Sequence, residues 1–215
     1  MTDGRGVLSA SRRGPRKGDL KEEAILATCE RLLGEKPLGE IGVDELAAGA
    51  GISRPTFYFY FESKTAVLRA LVERLADQMY AEAAGWLARE GDSPELTVSR
   101  SIEAAAEQWR DHGPVLRAAV EAWGSVPELQ AFWEDIVRRF VDQSATRIGE
   151  ERDAGSAPPG PEPEALAKAL IWMNERCFYT SSLGGDPALD DDELVPTLTA
   201  IWLRAIYAGL PQPIR

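Results

Sequence analysis

The chain has 215 residues, a net charge of −11 and 44% apolar residues, enough for a sizeable core in one large or two small domains. No leader-like stretch and no apolar run of membrane length appears, so a membrane role is excluded and a cytoplasmic protein is expected. Uniform acidity would also exclude a nucleic-acid partner, but the charge is uneven: residues 1–74 hold 12 Lys+Arg against 11 Asp+Glu, and residues 75–215 hold 12 against 24. A near-neutral end on an acidic body lets phosphates approach that end only. The two cysteines, Cys29 and Cys177, lie far apart within helical patterns and read as reduced buried thiols rather than a disulfide.

Residues 1–18 form a Gly/Ser/Pro-rich segment with Arg5, Arg12, Arg13, Arg16 and Lys17, expected to be disordered. Two readings stand: a solvated tail, or a basic arm that follows phosphates or enters a minor groove. Asp19 to Glu22 is a capping box for a first helix carrying Ile25, Leu26, Cys29, Leu32 and Leu33, ended by Gly34 and Pro37. Val43 to Lys64, VDELAAGAGISRPTFYFYFESK, then reads as two short helices around a glycine turn. Gly42 stands at the first of these helices' N-cap, without a hydroxyl to offer. Ser53 caps the second, with Pro55 in its first turn. Two short helices so joined are the pattern of a helix-turn-helix whose second helix enters the DNA major groove.

This stretch resembles the DNA-binding domain of the TetR family of transcriptional repressors. The resemblance rests on the ELA-x-x-AG turn, the S-R-P-T-x-Y helix, the aromatic residues after it and the S-K pair at Ser63 and Lys64. It extends to Ala24–Thr28, Pro37 and Leu38, Met173–Arg176, and the terminal Ile201, Trp202, Ile206 and Tyr207, nearest to a member that represses a Baeyer–Villiger monooxygenase gene. It implies that Ser53, Arg54, Pro55, Thr56, Tyr58, Phe59 and Tyr60 face DNA and that Lys64 binds a phosphate. From chemistry alone, Arg54 suits a guanine edge, and Thr56 and Tyr58 suit phosphate oxygens or a thymine methyl. Phe57 and Phe61 read as core; Phe59 and Tyr60 remain open.

Ser63 caps a long helix to about Arg89, with Val67, Leu68, Leu71, Val72, Leu75, Met79 and Ala83 in one apolar stripe. It links the DNA-binding end to the body. Ser93 and Pro94 open a fifth helix to about Asp111, bearing Val98, Ile102, Ala105 and Trp109. His112-Gly113-Pro114 breaks the chain before a short sixth helix. Ser125 to Glu128 is a second capping box, opening a seventh helix with Leu129, Trp133, Ile136, Val137, Phe140 and Ile148. Ala154 to Pro163 is a loop. The eighth helix (about Pro163 to Leu183) and ninth (about Asp192 to Tyr207) are apolar nearly all round, which requires cover on both sides. A second copy of the chain supplies it most simply, as the resemblance also implies.

The expected fold is therefore all-α, with about nine helices. Residues 19–64 form the helix-turn-helix domain and residues 65–215 a ligand-binding and dimerisation domain. All six tryptophans lie beyond residue 80. They are either plain core or the walls of a cavity. Asn174 interrupts an apolar face and needs a partner, either a ligand group or a backbone group or water. The resemblance implies an aromatic tunnel with Asn174 as its polar handle and Trp109, Trp133, Phe140, Tyr179 and Trp202 in its lining. Val98, Ala105, Val137 and Gln143 stand where bulkier side chains are expected, implying a wider pocket for an elongated apolar ligand. Glu175 and Arg176 form either an internal pair or a solvent-facing one. One histidine, His112, and no metal spacing, phosphate loop or nucleophile–base set argue against an enzyme, a metal or a cofactor. The expected function is a homodimeric repressor of a near-palindromic double-stranded DNA operator, released by a hydrophobic small molecule. The alternatives are an all-helical small-molecule binding protein and a DNA-binding repressor without such an effector.

Overall fold

The computed structural model describes residues 17–88, 93–124 and 126–208. The basic arm before Lys17, the Ser125 cap, and the side chains of Ala83 and Trp86 lie outside the described residues. Among those described the chain is all-helical: α1 Lys17–Leu33, α2 Val43–Gly49, α3 Arg54–Tyr60, α4 Lys64–Ala88, α5 Pro94–Asp111, α6 Gly113–Trp123, α7 Pro127–Asp153, α8 Pro163–Leu183 and α9 Asp191–Tyr207. A 3-10 turn at Leu38–Glu40, not expected from the pattern, precedes α2.

Serine caps set three of the starts. Ser53 Oγ accepts from the Thr56 N–H at 3.3 Å, Ser63 Oγ from Ala66 at 3.0 Å and Ser93 Oγ from Leu96 at 3.4 Å. Gly42 caps α2 without a side chain, and Glu45 compensates. One Glu45 oxygen accepts from the Gly42 N–H at 2.9 Å and the other from Lys36 Nζ at 2.6 Å. The Lys36 bond, then the Gly42 bond, hold this carboxyl below its usual range. Two expected starts differ. α1 begins two residues before Asp19, which sits instead in the first turn, where a carboxylate suits the helix dipole. α7 begins at Pro127, and Val126 at its N-cap makes no side-chain cap bond.

The core of the helix-turn-helix is built from Ile25, Cys29, Ile41, Leu46, Phe57, Val67 and Leu68, all nearly or fully buried. Burial pushes the Cys29 thiol up to about 12, so it packs as a small apolar side chain. Cys177 is half-buried on α8, and both cysteines are free. α1 packs on α2, α4 and α6, and α4 continues against α5, α6 and α7. The helix-turn-helix end is thus joined to the body by α4 and by the α1–α6 contact. His112 Nδ1, at the α5–α6 junction, pairs with Glu30 of α1 across that contact.

Glycine has two different uses in the α2–α3 turn. Gly51 takes φ +67°, the left-handed conformation a tight turn requires. Gly49, expected to share that role, instead ends α2 against α1: a Cβ there would lie 2.3 Å from Thr28 Cγ2. Thr28 is buried, and its hydroxyl donates to the Ala24 carbonyl at 2.7 Å. Gly49→Ala should therefore destabilise the protein by about 1–3 kcal/mol through overpacking. Thermal denaturation checks it: adding Thr28→Ala should recover most of the loss.

Candidate nucleic-acid interface and cavity

α3 is a seven-residue helix with one apolar side. Phe57 and, just beyond it, Phe61 face the core, with ring centroids 6.2 Å apart. The opposite side is open. Ser53, Arg54, Pro55, Tyr58 and Phe59 are exposed, Phe59 to 83%. Thr56 and Tyr60 are half-buried: Thr56 Oγ1 lies 2.8 Å from Ser53 Oγ, and Tyr60 meets Phe59 edge-on at 5.3 Å.

Arg54 is held in place before any partner arrives. Its Nη1 donates to Asp44 Oδ2 of α2 at 2.8 Å, and its Nη2 lies 3.4 Å from the Tyr58 hydroxyl. Lys64, which the resemblance implies binds a phosphate, is engaged within the protein. Its ammonium donates to the carbonyls of Leu38, Gly39 and Ile41 at 2.7, 2.9 and 2.9 Å. All three protons are engaged. Lys64 fastens the start of α4 to the turn before α2, and that contact has no local sequence signal.

The body encloses a cavity of about 140 Å³ between α4, α5, α7, α8 and α9. Trp109, Trp133, Phe140, Asn174 and Trp202 line it, as the sequence suggests; Tyr179 does not. Tyr179 packs edge-on against Trp109 at 6.5 Å, one residue away from Phe178, which does face the cavity. Val98, Ala105 and Val137 are in the wall, whereas Gln143 is not and bonds the Tyr80 hydroxyl. Met79, Ile102, Ile136, Ile171, Phe178 and Glu175 complete most of the lining, although the sequence did not assign them to a cavity. The volume is close to that of a cavity that takes a single benzene ring.

Asn174 finds its partner within the protein. Trp202 Nε1 donates to Asn174 Oδ1 at 3.0 Å, both groups buried. The amide nitrogen of Asn174 is thereby left as the donor end of the handle. Glu175 is 7% exposed, and neither of its oxygens has a hydrogen-bond partner among the described residues. Arg176 Nε is 3.8 Å from Glu175 Oε2, while the rest of Arg176 is exposed and lies over the Tyr179 ring at 5.0 Å. The Glu175–Arg176 pair is thus internal at one end and solvent-facing at the other. Burial pushes the Glu175 carboxyl above its ordinary range, and Arg176 opposes this in part.

Residues 25–71 match the family described as bacterial regulatory proteins, tetR family. Residues 98–208 match that described as transcriptional regulator EthR, C-terminal domain. The HTH-type transcriptional regulator EthR of Mycolicibacterium smegmatis is 41% identical over 197 residues, covering 90% of this chain and 89% of its own. EthR of Mycobacterium tuberculosis is 39% identical over 191 residues, covering 88% of each. Among solved structures, a TetR-family regulator from Syntrophomonas wolfei superposes with a TM-score of 0.75 at 16% identity, covering 90% of this chain and 98% of that one. At that identity the likeness concerns the fold alone. These families and relatives are transcriptional regulators, not enzymes.

The buried carboxyl has a measurable consequence. Below its ordinary range Glu175 carries a proton whether the chain is folded or not, and burial costs little. Above its raised range the folded protein holds an ill-paired buried charge, and stability is lost as pH rises between the two. Glu175→Gln should therefore raise Tm, and by more at about pH 8 than at about pH 4. Equal gains at both would remove the buried charge as the cause.

Proposed function

Because this chain belongs to the TetR family of DNA-binding transcription regulators and carries an EthR-type C-terminal domain, we propose that it is a ligand-responsive repressor acting as a homodimer. The observation that carries the reading is the geometry of α4. It begins at the helix-turn-helix and reaches the cavity wall at Met79. Two recognition helices, α3 of each subunit, occupy successive major grooves of a near-palindromic operator, about 35 Å apart. Arg54 reads a base edge, Tyr58 and Thr56 take phosphates, and Phe59 packs on sugar or a thymine methyl. Lys64 positions the turn from within. The dimer forms through α8 and α9, whose outer sides leave Leu183 and Ile201 exposed and Trp172 half-buried. No described helix is long and apolar enough to cross a membrane, which fits a cytoplasmic regulator.

An effector enters between α5, α7 and α8 with its chain along the tryptophans and a carbonyl on the Asn174 amide. By wedging the cavity open it displaces α4 and alters the spacing of the two α3 helices. It releases DNA only to the extent that it prefers the wedged conformation. The cavity's small volume favours one competing reading, a DNA-binding regulator with no small-molecule effector.

One titration separates them. The purified protein is mixed with its own upstream DNA and with elongated apolar amides, esters and ketones, following tryptophan fluorescence, Tm and DNA retention. Quenching, a raised Tm and loss of DNA by the same compound support the ligand-released repressor. DNA binding unaffected across the panel supports the effector-free regulator. Arg54→Ala should lower affinity for the operator by about tenfold or more and relax base preference, with the dimer intact by light scattering. Unchanged operator affinity would remove α3 as the recognition helix. Asn174→Leu should keep DNA binding and weaken the effector response by about tenfold, the worth of one buried hydrogen bond. A normal response would remove Asn174 from the site.

A further inference from the structure

The cavity wall is apolar except for a few side chains, and these do not balance. Ser101 donates its hydroxyl to the Thr97 carbonyl at 3.0 Å, within its own helix. Asn174 uses its oxygen on Trp202. Two groups lack a hydrogen-bond partner among the described residues: the Trp133 indole N–H and the Glu175 carboxylate. The indole lacks an acceptor. The carboxylate lacks donors at both oxygens, although the side chain is buried and lines the cavity.

A buried carboxylate without donors is costly, and buried polar groups left unpaired are rare enough to need a reason. Arg176 does not supply one. Its Nε stays 3.8 Å away, beyond hydrogen-bond length, and its exposed guanidinium lies over Tyr179. An apolar cavity with one unsatisfied anionic acceptor is complementary to an apolar molecule with a cationic donor. The surrounding charge favours the same sign, since residues 75–215 carry 24 Asp+Glu against 12 Lys+Arg. A carboxylic acid would instead bring a second anion to Glu175.

Building on the reading of the cavity as the effector site, we propose that the effector is an elongated apolar amine whose ammonium pairs with Glu175. Its chain lies along Trp109, Trp133 and Phe140. An oxygen acceptor further along the same molecule would satisfy the Trp133 N–H and the Asn174 amide. Glu175 then selects between effectors of similar shape by charge, a role distinct from that of the neighbouring Asn174.

The test uses the full chain and three probes of one length: decylamine, decanol and decanoic acid, each below its micelle concentration. Binding is followed by tryptophan fluorescence and calorimetry. The wild type is expected to bind decylamine at least about tenfold more tightly than decanol, with decanoic acid weakest. Glu175→Gln keeps the shape and removes the charge, so the amine and the alcohol should then bind within about twofold of each other. Its folding is checked by Tm, and the wild-type ranking is read without any variant. Decanol binding as well as decylamine in the wild type overturns the proposal while leaving the cavity as an effector site. A tenfold amine preference that survives Glu175→Gln assigns it to the acidic surface and also overturns it. Failure of all three probes to bind overturns both this proposal and the effector reading of the cavity.

Discussion

The geometry of this protein depends on α4 being one uninterrupted helix fastened at its start. Lys64 gives all three ammonium protons to the carbonyls of Leu38, Gly39 and Ile41, so the first turn of α4 and the turn before α2 move as a unit. Fifteen residues later, about 22 Å along the axis, Met79 stands in the cavity wall. Between these points Val67, Leu68, Leu71, Val72 and Leu75 bury one stripe against the neighbouring helices. An α-helix with a packed stripe bends little, so a displacement at one end is carried to the other rather than absorbed.

Other contacts decide where such a displacement goes. Arg139 of α7 pairs with Asp77 of α4 at 3.1 Å and lies over the Tyr80 ring at 4.5 Å. Arg69 lies over Phe132 at 5.4 Å, a second link between the same helices. α4 therefore follows α7, and α7 brings Trp133, Ile136, Val137 and Phe140 to the cavity. Against this, α1 is held to the body by Glu30 and His112 and to α4 by Glu23 and Arg74. The cavity of about 140 Å³ has room for about one aromatic ring. In the proposed effector mechanism a longer molecule separates α7 or α5 from the rest, and the Arg139 and Arg69 contacts carry α4 with α7.

The sequence carried the helices because each has a local cause: serine caps at Ser53, Ser63 and Ser93, a stripe of apolar residues, and Gly or Pro at the ends. The family resemblance, not local pattern, supplied most of the cavity lining, and Trp109, Trp133, Phe140 and Trp202 do face the cavity. What escaped needs distances between segments. Tyr179 and Phe178 are adjacent in sequence, and only the rotation of α8 decides that Phe178 faces the cavity. Gln143 turns to Tyr80, Gly49 yields to Thr28, and Lys64 turns back to carbonyls about 25 residues earlier in the chain. His112 looked like a plain helix boundary, and its pairing with Glu30 is equally non-local. Glu175 was visible as a charge on an apolar helix, but its lack of hydrogen-bond partners was not.

The recognition surface shows how folding and binding share one group. Arg54 gives its guanidinium to Asp44 and Tyr58. Both partners of the ion pair are largely exposed, so the pair is worth little and is easily exchanged. Its effect is on shape: it removes rotamers from a long side chain and keeps it beside α3, so less freedom remains to be lost on binding. The same carboxylate also tempers the positive charge that α3 shows to phosphates in general. A guanidinium already neutralised gains little from a bare phosphate and more from a base edge offering two acceptors in the fork's own geometry. On the proposed reading of α3, Asp44 thus shifts Arg54 from non-specific attraction towards sequence reading. Such selectivity suits a chain whose net charge of −11 comes from residues 75–215, outside the helix-turn-helix.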